Sequence, residues 1–293
     1  MRTAIHPTAA EFLATAEAPL LREEALHNLI LGVASRVRDG RAYGGDPPYF
    51  LTVWDDAELL AAVVRTPPHP LVLAAPGGDV GAIGSLVNHL VESDPDLAGV
   101  NGLVPHASEF ARLWAQRRPV TVEVGMQLRI HELREAIPPF GVPGTLRVPE
   151  EAERDLLASW IRGFQAEAVP DDPPTDPHEI LDRYFAGAAT LRVWDHNGPV
   201  SMAGSGRSSV HGTTVGLVYT PPERRGHGYA SACVAGLSQL LLDQGYAFCT
   251  LYTDLANPTS NKIYRAIGYR PLGDAAVYRF SPRPTATSTR PPR

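Results

Sequence analysis

The sequence predicts an α/β protein in which a mixed sheet flanked by helices occurs twice. Three observations support this fold class. Residues 137–144 (IPPFGVPG) are too rich in Pro and Gly to continue a helix or a central strand, and they divide the chain into nearly equal halves. Both halves contain Val-Trp-Asp, at 53–55 and at 193–195. Both also repeat the order of strands, helix, strand, helix, strand. The predicted segments are domains at 1–136 and 146–280, a linker at 137–145 and a disordered tail at 281–293.

In the first half, runs or alternations of apolar residues predict strands, and apolar residues at helical spacing predict helices. Pro76 ends one of the strands. In chain order we predict strands at 51–55, around 60–62 and at 71–76, a helix at 81–92, a strand at 100–104, a helix at 107–116 and a strand at 120–130.

The second half repeats this order after a helix predicted at 151–168. Pro221 and Pro222 end a strand here too, and Gly245 and Gly268 each follow a predicted helix. The predicted elements are strands at 191–195, around 200–202 and at 215–220, a helix at 228–244, a strand at 246–253, a helix at 258–267 and a strand at 276–280.

Composition excludes several classes of protein. The chain is 44% hydrophobic and 20% charged, as in ordinary globular proteins. It has 26 basic and 32 acidic residues, a net charge of −6 and no basic cluster, so we do not expect nucleic-acid binding. No apolar run is long enough to span a membrane, and the first residues lack the apolar core of a secretion signal. Two cysteines exclude a disulfide scaffold, and the histidines show no metal-ligand spacing. We expect a cytoplasmic protein without a metal.

The segment with the clearest chemistry is the loop Arg225–Ala230, between a strand and a helix. A helix N-terminus presents unsatisfied backbone N–H groups and the positive end of the helix dipole. Glycines let the backbone approach a ligand closely, and Arg224 and Arg225 add positive charge. The loop therefore predicts an anion site, for a phosphate or diphosphate. A Walker A loop is excluded because Tyr229 and Ala230 stand where Lys and Ser or Thr are needed.

Two motifs in this half resemble those of the GCN5-related N-acetyltransferase (GNAT) superfamily, whose members bind acetyl-CoA. The first is Arg225-Gly-His-Gly-Tyr-Ala230, preceded by Val218-Tyr-Thr-Pro-Pro-Glu-Arg224. The second is Asn257-Pro-Thr-Ser-Asn-Lys-Ile-Tyr-Arg-Ala-Ile-Gly-Tyr269, in which Tyr269 replaces the usual Phe. Asn257 is also a good N-cap, with Pro258 suited to the first turn. The resemblance covers about residues 146–280.

The resemblance implies two tandem GNAT-like domains, each with a mostly antiparallel mixed sheet flanked by helices. It implies transfer of an acetyl group from acetyl-CoA directly to the amine of a small molecule, with Tyr264 protonating the departing thiolate. The strand before the loop would pair with pantetheine, and the loop amides would hold the diphosphate. The implied coenzyme-binding residues are Val218, Tyr219, Thr220, Arg225, Gly226, His227, Gly228, Tyr229, Ala230, Ser231 and Asn257.

The general base stays open, because the strand before the loop carries no carboxylate. Ordered water, Glu167, Asp171 or Asp172 are the alternatives. The first half has Asp79 where the arginine-rich loop would stand and Trp114 near the position of Tyr264. We interpret it as a degenerate copy that keeps the fold without binding the coenzyme and shapes the substrate cleft or a homodimer surface. Alternative functions are a non-catalytic acyl-CoA or metabolite sensor and a transferase that uses another acyl-CoA.

Overall fold

The computed structural model describes residues 1–41, 46–170 and 175–283, and it contains two compact units. The first consists of Met1–Arg22, Ala34–Gln127 and the residues from Asp274 onward. The second consists of Glu23–Val33 and Leu128–Gly273. Each unit therefore draws on both halves of the sequence. The predicted tail falls outside the described residues from position 284 onward.

The two halves of the chain have the same order of elements, which confirms the predicted repeat and the α/β fold class. The first half forms β1 (Arg2–His6), α1 (Ala9–Leu20), α2 (Asn28–Arg38), β2 (Tyr49–Asp55), β3 (Glu58–Arg65), β4 (Leu71–Ala74), α3 (Val80–Ser93), β5 (Gly99–Leu103), α4 (Val104–Arg117) and β6 (Val120–Leu133). The second half forms β7 (Thr145–Arg147), α5 (Arg154–Ala168), α6 (Pro177–Phe185), β8 (Thr190–Asp195), β9 (Pro199–Ser208), β10 (Gly212–Tyr219), α7 (Tyr229–Asp243), β11 (Phe248–Asp254), α8 (Pro258–Ala266) and β12 (Arg270–Pro282).

The sheet of the first unit has the order β1-β2-β3-β4-β5-β12, with the first part of β6 beside β12. Strands β4 and β5 are parallel, whereas β5 and β12 are antiparallel, with Ala276 opposite Gly102. The last strand of the second half thus completes the sheet of the first unit. Its Phe280 stacks on Phe110 and Trp114 of α4, with ring centroids 6.5 and 5.7 Å away.

The sheet of the second unit has the order β6-β11-β10-β9-β8-β7, in which β6 contributes the residues from Leu128 onward. Only β10 and β11 pair in parallel within this described sheet. Because side chains alternate along a strand, each face packs against its own helices. Helix α7 covers one face, where Cys233 and Leu237 pack against Val215 and Leu251. Helices α5 and α6 cover the other face.

Candidate functional site

Strands β10 and β11 separate in the middle of the second sheet. They pair from Gly212 with Phe248 to Thr214 with Thr250, and both strands then continue unpaired with each other. The pairing of β10 with β9 passes directly from Gly216 to Tyr219, so Leu217 and Val218 are skipped. Leu217 has a φ of 50°, a left-handed conformation that turns the strand locally. Backbone polar groups at 217–218 are therefore left for a ligand.

The predicted loop leads directly from β10 into α7. Gly226 and Gly228 have φ values of 82° and 80°, which a residue with a side chain rarely adopts. Gly228 is the N-cap of α7, and no side chain of the described residues caps this end. The first amide of the helix with a backbone partner is that of Ala232, which donates to the Gly228 carbonyl at 3.0 Å. The N–H groups ahead of it, through Ser231, are available to an anion.

Arg225 is the first residue of this loop, and its guanidinium group forms an ion pair with a carboxylate. Arg225 Nη2 donates to the two carboxylate oxygens of Glu167, at 2.9 and 2.8 Å, and Nε donates to the carbonyl of Thr220 at 2.9 Å. The guanidinium carbon also lies 5.7 Å from the centroid of the Tyr219 ring. Glu167, one of the predicted bases, is thus an ion-pair partner here. Asp171 and Asp172 lie outside the described residues.

Besides Tyr219 and Arg225, which bond to Glu167, three other predicted coenzyme-binding residues use their side chains within the protein. Thr220 Oγ1 donates to Ser201 Oγ at 2.9 Å, and the Tyr229 hydroxyl lies 2.7 Å from His196 Nδ1. Asn257 caps α8 by accepting a hydrogen bond from the Ser260 amide at 3.0 Å. The backbone of Asn257 is also bonded within the protein, since its amide donates to the Asp254 carbonyl and its carbonyl accepts from Asn261. His227 is exposed, as expected for a loop residue in solvent.

Tyr264 is half-buried on α8, on the same face of the sheet as α7. Its ring packs edge-on against Tyr269, with centroids 6.0 Å apart. Burial, and secondarily the nearby Cys233, raises the pKa of the Tyr264 hydroxyl to about 12. The hydroxyl therefore carries its proton at neutral pH, as a proton donor must.

The opposite face of the fork between β10 and β11 is covered by residues 23–33, which sequence reasoning did not place there. Glu24 accepts hydrogen bonds from the backbone amides of His211 and Gly212, at 2.7 and 3.3 Å. Asn28 Oδ1 accepts from Thr214 Oγ1 and from the Tyr252 hydroxyl, both at 3.2 Å. No local motif could reveal these contacts, because the partners are 186 or more residues apart in the sequence.

The corresponding helix of the first half, α3, begins differently. The Asp79 carboxylate accepts hydrogen bonds from the amides of Gly81 and Ala82 and so occupies the helix N-terminus. Trp114 is fully buried, and its ring stacks on Phe110 with the centroids 6.0 Å apart. Both observations agree with the interpretation of a copy without coenzyme binding, which stays a prediction.

The described residues were also compared with the requirements of a metal site and of a membrane-spanning helix. In residues 1–41, 46–170 and 175–283, no three or more His, Cys, Asp or Glu side chains are grouped so that they could hold a metal ion. No helix among the same residues combines the length and the apolar character needed to cross a membrane.

Comparison with known proteins matches these features to one superfamily. Residues 197–279, which include the fork, the loop and α8, match the sequence model of the FR47-like protein family, which belongs to the GNAT superfamily. No curated protein matches the chain at a significant level.

Several solved structures share the fold over three quarters of the chain or more. A GCN5-related N-acetyltransferase from Sphaerobacter thermophilus is 18% identical, with a TM-score of 0.58 over 94% of this chain and 95% of that one. A tandem GNAT protein from the clavulanic acid biosynthesis pathway is 11% identical, with a TM-score of 0.56 over 96% and 98%. A GCN5-related N-acetyltransferase from Kribbella flavida is 16% identical, with a TM-score of 0.52 over 75% and 86%. The chain therefore has the tandem GNAT fold, and the resemblance of its second half to the GNAT superfamily is confirmed, with the FR47-like family as the matching member.

Proposed function

We propose that the chain is an acetyl-CoA-dependent N-acetyltransferase that passes an acetyl group directly to the amine of a small molecule. The observation that carries the proposal is the free backbone at Leu217 and Val218, beside a helix N-terminus that no described side chain caps. The first feature suits an extended chain with amide groups, and the second suits a diphosphate. Coenzyme A contains both an extended pantetheine chain with amide groups and a diphosphate. Membership in a superfamily of acyltransferases supports the same chemistry.

The residues present fit this coenzyme. The loop from Gly226 to Ser231 would hold the diphosphate through main-chain N–H groups, and at Gly226 a ligand meets open space because no atom lies within 4 Å of an added Cβ. Val218, Tyr219 and Thr220 would hold the pantetheine arm along the open edge of β10. Arg225 would exchange the Glu167 carboxylate for a phosphate, since guanidinium groups form bidentate hydrogen bonds with both kinds of anion.

Bound acetyl-CoA supplies the acetyl group as an activated thioester. Backbone N–H groups at the Leu217 bend would stabilise the negative charge that develops on the thioester oxygen. Preorganised donors of this kind typically contribute about 3–4 kcal/mol to transition-state binding. Tyr264 keeps its proton up to a pH near its pKa of about 12 and would donate it to the departing thiolate.

Strand β10 has no carboxylate that could deprotonate the acceptor amine, because Gly212–Tyr219 contains no Asp or Glu. Ordered water is one route for the proton. Glu167 is the other, once Arg225 has left it for the diphosphate. The contact of the Glu167 carboxylate with the Tyr219 hydroxyl, at 3.5 Å, supports this route.

The experiment that tests the proposal combines calorimetry of acetyl-CoA with a thiol-release assay across a panel of primary amines. We expect acetyl-CoA to bind and free CoA to appear only when an accepted amine is present. Binding without release for any amine would instead support the non-catalytic sensor. Turnover of other acyl-CoA thioesters at equal efficiency would broaden the donor, and a failure of acetyl-CoA to bind would overturn the proposal.

A further inference from the structure

Arg207 is a partly buried cation for which the described residues provide no counterion, on the face of the second sheet that α7 does not cover. It stands opposite Thr214, which stands opposite Thr250, so the three residues form one row across β9, β10 and β11. Its Nε atom is buried and has no hydrogen-bond partner. Within the described part of the chain it forms no ion pair. A buried N–H group without a partner is costly, so a ligand that accepts a hydrogen bond from this guanidinium group would stabilise it.

The side chain of Arg207 extends toward the fork. Its guanidinium carbon lies 5.7 Å from the centroid of the Tyr252 ring. Tyr252 is two residues beyond Thr250, the last residue of β11 that pairs with β10. The stem packs against α2, where a Cβ added to Gly32 would lie 2.5 Å from Arg207 Cγ. Gly32 thus permits the close approach that holds the arginine in this direction.

The neighbouring polar groups are already paired with each other. Asn28 Oδ1 accepts hydrogen bonds from both Thr214 and Tyr252, and Asn28 Nδ2 donates to the carbonyl of Ala25. The Glu24 carboxylate is bonded to His211 and Gly212. These contacts hold the polar side chains around Arg207 in place, whereas Arg207 Nε has no hydrogen-bond partner among the described residues.

Open space lies beside the side chains around Arg207, close to the backbone at 217–218 where acetyl transfer is proposed. Gly216, the next residue along this face of β10, has no atom within 4 Å of where a Cβ would stand. Gly204, its partner on β9, is instead covered by Tyr184 of α6, whose hydroxyl oxygen would lie 2.6 Å from an added Cβ. The free volume therefore lies over Gly216, between Arg207 and the backbone at 217–218.

We propose that Arg207 binds a carboxylate of the acceptor, so that the substrate is a short amino acid. The inference rests on the proposed acetyltransferase function and adds the class of amine. If the register of Thr214 with Thr250 is extended, Gly216 stands level with Tyr252, whose ring lies near the Arg207 guanidinium group. The backbone at 217–218 is one to two residues further along β10, a distance of about 3–7 Å. That separation suits an amine one to three bonds away from a carboxylate carbon. Arg207 would be a binding residue that orients the amine, without a part in proton transfer.

The test compares amines in matched pairs, each an amino acid and the amine that remains after loss of its carboxylate, with the full chain. We expect the wild type to prefer the amino acid of a productive pair. Arg207→Gln should raise KM for the amino acid at least tenfold, since it removes a charge-assisted hydrogen bond. It should change KM for the decarboxylated partner less than twofold and leave the Kd for acetyl-CoA unchanged.

Arg270→Gln serves as the matched control, because Arg270 is an exposed arginine and its replacement removes the same charge. Carboxylic acids that lack the amine should also inhibit the wild type competitively against the amino acid, a readout that needs no variant. Equal use of both members of every pair, or an equal loss for both members in Arg207→Gln, would overturn the inference. Absence of acetyl-CoA binding by the wild type would instead be a failure of the proposed function.

Discussion

Glu167 of α5 holds Arg225 of the loop through both of its carboxylate oxygens, at 2.9 and 2.8 Å. The side chains are 49% and 46% exposed, so the ion pair is a surface pair that contributes about 0.2–1 kcal/mol. Glu167→Gln removes a competitor for the diphosphate, and we expect the Kd for acetyl-CoA to fall by about two- to fivefold. Calorimetry at low and high salt measures the change, which should shrink as salt rises.

Glu223→Gln is the control for this prediction, because Glu223 is an exposed carboxylate close to the same loop. It should alter the Kd less than Glu167→Gln does. Weaker coenzyme binding in Glu167→Gln would show that the pair holds Arg225 in the binding position instead of competing for it.

Gly228 is the residue of the loop that tolerates a side chain least. Its φ is 80°, and an added Cβ would lie 2.9 Å from Val142 Cγ2. We expect Gly228→Val to abolish acetyl-CoA binding, because both the strain and the contact displace the amides that start α7. Gly245→Val, at the other end of α7, introduces a similar strain into open space at a φ of 102°. That variant should lose about 1–2 kcal/mol of stability and keep the coenzyme affinity. Unaltered binding in Gly228→Val would refute the loop assignment.

Tyr264→Phe removes the hydroxyl proposed as the general acid and leaves the packing against Tyr269. We expect kcat to fall by about 10²–10⁴-fold, with the Kd for acetyl-CoA within twofold of the wild type. Because burial raises the pKa of Tyr264 to about 12, its deprotonation should not reduce kcat of the wild type between pH 7 and 10. Tyr246→Phe, which loses a hydroxyl 3.1 Å from Ser208 Oγ, is the control and should keep its activity. Full activity of Tyr264→Phe would remove the residue from the mechanism.

Glu24 ties residues 23–33 to the turn between β9 and β10, and this contact makes stability depend on pH. Burial raises the pKa of the Glu24 carboxyl, but hydrogen bonds from Ser209 and His211 outweigh it, and the pKa is lowered below its ordinary value of 4.5. A lowered pKa in the folded state stabilises the fold above about pH 4.5 and loses that effect as the pH falls through the folded-state value. We expect Glu24→Gln to cost about 1.5–3 kcal/mol at pH 7, measured by urea unfolding.

The difference between Glu24→Gln and the wild type should narrow as the pH falls below 4.5, where the wild-type carboxyl becomes neutral. Glu23→Gln is the control, because Glu23 is an exposed carboxylate next to it. A difference that stays constant with pH would mean that the charge of Glu24 contributes nothing.

The geometry of the loop and of α8 could be predicted from the sequence because it is local. The loop and α8 lie in two continuous segments whose glycines, Asn257 and Pro258 determine backbone geometry directly. The opposite face could not be predicted, since Asn28 and Thr214 are distant in sequence and carry no shared motif. Helices α1 and α2 were also missed. Pro19 lies inside α1 and Gly32 inside α2, and both weaken the helical signal.

The placement of β6 and β12 escaped prediction for a related reason. Apolar alternation shows that a segment is a strand, but it does not say which neighbour the strand joins. The sequence therefore assigns the strands predicted at 120–130 and 276–280 to their own halves, whereas the structure extends them to Val120–Leu133 and Arg270–Pro282 and pairs them across the halves. The pairing of Ala276 with Gly102, and of Thr250 with Glu132, is long-range information that only the structure contains.

The crossover of these two strands has a consequence for biosynthesis. Residues 274–282 are synthesised after the other described residues of the first unit. Until they leave the ribosome, β5 lacks its antiparallel neighbour β12 and the first sheet is incomplete. Cutting the gene at the linker would deprive each product of a strand that it needs. Neither half of the chain, expressed alone, would therefore contain all the strands of its own sheet.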